Sequence, residues 1–156
     1  MTKVNKSHFI LIKRSGFCAR LKMISATESA HKLLHSRIWP LWEGTRCKSM
    51  VKAGHKVLIY LAGDESDCKK VIAMAVVKNV VDWSSKHKRC YPLMLDGLPT
   101  KVLELKEVRY FDSPVDVREK LDTLSFIPQN KKKWGVAMMG GMRSLNKADY
   151  DVLSVD

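Results

Sequence analysis

Two apolar runs, residues 57–62 (VLIYLA) and 71–77 (VIAMAVV), constrain the fold more than anything else in this chain. The first is too short for a free-standing helix and lies between Gly54 and Gly63, so it reads as a buried strand. Gly63-Asp64-Glu65-Ser66-Asp67 follows it. Five polar turn-forming residues between two such runs indicate an antiparallel hairpin, the second strand continuing through Val80 and Val81 toward Trp83. Upstream, residues 8–13 (HFILIK) are apolar on both faces, as a central strand requires, and Lys13, Arg14 and Ser15 mark its exit before Gly16. Residues 91–95 and 101–111 add a short strand and a longer, bulged one.

Helices are signalled at three places. Ser25 with Glu28 forms a capping box ahead of the stripe Ala26, Ala30, Leu33 and Leu34. Ser113-Pro114-Val115-Asp116 has the composition of a helix start, with Val117, Leu121 and Leu124 as the buried face. Asn146 caps a last short helix carrying Tyr150 and Leu153. Residues 136–139 look strand-like, and Gly140-Gly141 gives a tight turn rather than half of a phosphate loop. Five or six strands joined mostly to one another, with three helices, predict an α+β fold: a mixed, strongly curved sheet or small barrel flanked by helices. Neither a repeat nor a linker divides the chain, so residues 1–156 are expected to form one domain.

Charge narrows the function. Lys and Arg number 28 against 16 Asp and Glu, a net +12, which favours a polyanionic partner, nucleic acid ahead of an anionic membrane surface. No apolar run approaches the roughly 20 residues of a membrane span, and residues 9–12 are too short for a signal peptide, so a cytoplasmic location is expected. Cys18, Cys47, Cys68 and Cys90 lack metal-ligand spacing and read as free thiols; His31 and His35, four apart, lack a third ligand. No metal or other cofactor is expected.

Catalytic patterns are scarce: no G-x-S-x-G, phosphate-binding loop, G-x-G-x-x-G or H-E-x-x-H occurs, and the chain reads as a non-enzyme with no catalytic residues. Binding chemistry is better represented. Trp39, Trp42 and Trp83 lie beside basic residues: Arg37, Arg46 and Lys48 near the first two, and Lys86, Lys88 and Arg89 after the third. Unstacked bases need flat aromatic faces and phosphates need cations, so this interleaving suits a reader of single-stranded or extruded bases. Trp39 precedes Pro40 and is therefore extended, either lining a cavity mouth or filling core with Trp42. Trp134, after three lysines, reads as structural.

HFILIKRS, the Trp39 segment IWP, AGHKVLIYLAG, VIAMAVV and the tail FIPQNKKKWGVAMMGGMRSLNKADYDVL together resemble an EVE domain of the PUA-like superfamily, in its small stand-alone prokaryotic branch. The resemblance covers nearly the whole chain. It implies a curved, barrel-like sheet and kinship with YTH domains, which hold a methylated adenine in an aromatic cage. It also implies recognition of modified bases in DNA or RNA, with Trp39 and Trp83 as cage walls and Lys13, Arg14 and Ser15 facing the pocket. Arg37, Arg46, Lys48, Lys86, Lys88 and Arg89 would then hold the backbone. Two departures stand out: Gly54-His55 replaces the usual Gly-Asp, and Arg46-Cys47 replaces the Arg-Asn that supplies base-edge hydrogen bonds. The alternatives are a PUA-like module for unmodified RNA, and a small nucleoside or amide hydrolase using Lys13 or a cysteine.

Overall fold

The computed structural model of the protein describes residues 7–17, 22–89 and 98–154. Six strands form one mixed sheet: β1 (His8–Lys13), β4 (Ile38–Leu41), β5 (Lys56–Leu61), β6 (Lys70–Asp82), β7 (Lys101–Asp116) and β8 (Met142–Leu145). Their order across it is β4-β7-β6-β5-β1-β8. Two short strands, β2 (Gly16–Phe17) and β3 (Met23–Ile24), pair with each other in a separate two-stranded sheet. The doubly apolar first strand is internal, as its sequence demands: β1 runs parallel to β5 and antiparallel to β8.

Alternation along the strands divides the apolar residues between two faces. Phe9 and Leu11 of β1, with Val57, Ile59 and Leu61 of β5, join one core; Ile10 and Ile12, with Leu58 and Tyr60, join the other. Helix α1 (Ala26–His35) covers the first with Ala26, Ala30, Leu33 and Leu34. Helix α2 (Lys147–Leu153) covers the second with Tyr150 and Leu153. Both caps follow the sequence reading: Ser25 Oγ accepts the Glu28 N–H at 3.1 Å, and Asn146 Oδ1 accepts that of Asp149 at 2.7 Å. No described helix is long and apolar enough to cross a membrane.

The β5–β6 hairpin is antiparallel, as expected, and continues into β7. The β6–β7 register shifts at three places. Each shift adds twist, and the sheet curls into a half-barrel.

Two local expectations are corrected. Ser113-Pro114 starts no helix: β7 continues to Asp116, and only a 3-10 turn (Val117–Glu119) follows. Val115 and Asp116 pair with Val71 and Lys70, and the register slips before Ala73. Pro114 falls in that slip, where its missing N–H costs no ladder bond. Residues 136–139 are not strand. They close a kinked 3-10 stretch, Lys131–Met138, opened by the Asn130 side chain, which accepts the Lys132 N–H at 3.2 Å. The expected strand over residues 91–95 lies outside the described residues.

Candidate functional site

The curl brings the sheet's outer strands, β4 and β8, toward each other around an open seam. The turn after β4 crosses it. Trp42 donates its N–H to Thr45 Oγ1 at 2.9 Å, and Arg46 donates its N–H to the Gly140 carbonyl, ahead of β8, at 3.0 Å. From β1, the Lys13 ammonium lies 5.4 Å from the Trp42 ring centroid, within cation–π range, and Lys13 is only 8% exposed. Gly140 has φ +88°, and a Cβ there would stand 2.6 Å from Arg46 Cδ. Gly140→Ala is therefore expected to cost about 1–2 kcal/mol through the left-handed backbone alone, and to push the Arg46 side chain aside. Denaturant titration should show a lower midpoint at unchanged slope; an unchanged midpoint would mean the seam is looser than described.

Beside the seam, at the exit of β1, a cavity of about 450 Å³ is walled by Arg14, Tyr60, Asp64, Lys69, Lys132 and Trp134, among others. Trp134 is half-buried on the second core, and the 3-10 stretch carries its ring into the wall. The wall's acid is occupied: Lys69 bridges Asp64 at 3.0 Å and, by hydrogen bond and charge, holds its carboxyl below the usual range. Arg14 and Lys132 make no ion pair among the described residues. Burial pushes the Tyr60 phenol well above its ordinary pKa, so it stays protonated at neutral pH. The cavity thus offers one flat ring, two uncommitted cations and a neutral phenol. A second cavity, of about 320 Å³, shares Val136 with the first and is lined by Arg46, Lys133, Arg143 and Phe126.

The residues singled out from sequence are only partly gathered here. Lys13 lies at the seam beside Trp42, Arg14 lines the first cavity and Arg46 the second, and Ser15 is exposed next to Arg14. Trp39 is 2% exposed inside the first core; in this conformation its ring presents no open face. Trp83 is half-buried against that same core and stands 5.3 Å, centroid to centroid, from the His87 ring. Arg37 is exposed at the α1–β4 turn, Lys48 is bridged to Glu43 at 3.0 Å, and Lys86 is exposed after β6. The side chains of Lys88 and Arg89, with Cys18 and Cys90, lie outside the described residues. Trp134 was legible in part: Asn130 before the lysines and Gly135 after the ring are turn residues. Arg143 and Phe126 carried no sequence signal.

Among the described residues, two groupings suggest metal or nucleophile chemistry, and neither is well set up for it. Glu65, Asp67 and Cys68 gather their ligand atoms within 4.8 Å, but burial and the two carboxylates raise the Cys68 thiol pKa, against thiolate ligation. Ser84 Oγ lies 3.2 Å from His87 Nδ1, yet that nitrogen already accepts the Ser84 N–H at 3.0 Å. A lone pair committed to the backbone is poorly placed to take the hydroxyl proton, and the pair reads as a turn cap.

No family model and no curated protein matches the chain. Solved structures do. The N-terminal domain of Staphylothermus marinus McrB is 12% identical over 98% of this chain and 97% of its own, with a TM-score of 0.56. The ASCH protein of Zymomonas mobilis is 13% identical over 95% and 94%, with a TM-score of 0.57. The YTH domain of Zygosaccharomyces rouxii MRB1, solved in complex with N6-methyladenosine RNA, is 14% identical over 97% and 87%, with a TM-score of 0.50. These are PUA-like folds, and the α+β half-barrel of this chain is PUA-like as well.

Proposed function

We propose that this chain is a non-catalytic nucleic-acid-binding module that receives an extruded base, methylated or otherwise modified, in the cavity beside β1. One observation carries the reading: half-buried Trp134 stands in one wall with Arg14 and Lys132, while the wall's acid is taken by Lys69. A ring supplies sequence-tolerant stacking and cations hold the flanking phosphates. The net +12 supplies the long-range attraction. The YTH neighbour, bound to N6-methyladenosine RNA, makes methylated adenine the first modification to try. Membership of the EVE domains belongs to the same proposal. Here the base stacks on Trp134 instead of between Trp39 and Trp83.

The test is fluorescence anisotropy with short RNA and DNA strands, each with plain or N6-methylated adenine, at two salt concentrations. Binding should weaken with salt for every strand. The methylated strand should bind about fourfold tighter, the value of about 0.8 kcal/mol for one buried methyl. Equal affinity for plain and methylated RNA would establish the unmodified-RNA alternative; no salt-dependent binding would overturn the reading.

A further inference from the structure

We propose that the cavity between Arg46, Lys133 and Arg143 binds a phosphoryl group. This goes beyond the base cavity: it lies on the other side of Val136, which lines both. Among the described residues, no carboxylate belongs to its wall.

Arg143 enters from β8, opposite Ile10. Its guanidinium lies 4.6 Å from the Phe126 ring centroid, and one N–H reaches the Ala137 carbonyl at a long 3.4 Å. Its Nε is buried and has no partner among the described residues. A buried charged donor without an acceptor is costly, and native structures rarely leave one. The acid whose charge acts on Arg143 is already engaged: Asp149 accepts both the N–H and the hydroxyl of Ser125. Arg46 arrives from the far side of the seam, fixed by its backbone bond to Gly140 and by the missing side chain there. Burial first, then the like charge of Arg46, pulls the Arg143 guanidinium below its ordinary pKa.

Two guanidiniums and an ammonium from three separate segments thus face one space without a counter-ion among the described residues. A carboxylate has one charge and two oxygens and satisfies a single arginine fork. A phosphoryl group has enough oxygens for two forks and an ammonium, and it relieves both the repulsion and the orphaned Nε.

The experiment follows the arginine Nε–Hε resonances by NMR while inorganic phosphate is added at constant ionic strength, with chloride as control. Arg143 and Arg46 should shift saturably with phosphate alone. Arg46→Gln, an exposed change that leaves the core intact, should weaken phosphate about tenfold, the loss of one charge-assisted pair. Arg143→Lys keeps the charge, loses the fork, and should weaken it as well. Equal shifts with chloride and phosphate, or an Arg46→Gln protein that binds phosphate normally, would overturn the site. The source is then read by competition. A 5′-phosphorylated strand that outcompetes its 5′-hydroxyl twin identifies a terminal monoester, and equal competition identifies internal diesters. Phosphate binding without any strand binding keeps this site and sinks the nucleic-acid reading. Strands that bind while phosphate leaves Arg143 unmoved do the reverse.

Discussion

Trp39→Ala is expected to lower the melting temperature by about 6–20 °C. The ring is 2% exposed, on a strand whose Trp39 pairs with Leu103, and both belong to the first core. Emptying a buried Trp costs about 3–5 kcal/mol. In a chain of this size each kcal/mol moves the midpoint by about 2–4 °C. The position matters further because β4 is an outer strand that, among the described strands, pairs only with β7, and the turn that crosses the seam begins one residue beyond it. Loosening β4 should therefore also disturb the Lys13–Trp42 contact. Thermal melts with oligonucleotide binding decide the matter: a near-parental melting temperature with a lost preference for methylated adenine would show that Trp39 opens and serves as a cage wall.

Trp134→Leu should leave the fold intact and cost about 1–3 kcal/mol of oligonucleotide affinity, roughly 5- to 150-fold. Leucine keeps apolar cover over the second core, against which Trp134 packs, and removes the flat face. Any preference for a methylated base should vanish with it. Arg14→Gln should act differently. Phosphate contacts position a strand and carry no base identity, so the preference should survive while the salt slope falls by about 0.7. A Trp134→Leu protein that still discriminates places the base elsewhere, and an unchanged slope in Arg14→Gln removes that residue from the footprint.

What the sequence disclosed follows from the range of its signals. The Ser25 and Asn146 caps act within one helical turn, and each forms the bond its spacing implies. The β5–β6 hairpin was equally visible, because its strands and turn are contiguous. Ser113-Pro114 carried just as strong a local signal, yet pairing of Val115 and Asp116 with Val71 and Lys70 overrode it. The candidate site was legible where it lies on a strand exit, at Lys13 and Arg14. It was obscure where the curl alone creates it. Nothing near Arg46 in sequence announces Gly140 as its neighbour, and Trp134 reaches the cavity wall because it and the three lysines lie in one 3-10 stretch instead of a strand.

The internal position of β1 bears on how the protein comes into being. His8 pairs with Lys56 on one side and Leu145 on the other, whereas β5, β6 and β7 pair in chain order. Ladders of short loop closure form early and those of long closure late, so β5–β6–β7 is the natural first platform. On a ribosome, HFILIK emerges before β5 and β8, its two partners, and waits for residues 142–145 before β8 can cover it. A segment whose middle, residues 9–12, is wholly apolar, left half-covered for that time, is a target for other chains, and the interval between the first strand and the last is when this protein most needs a chaperone.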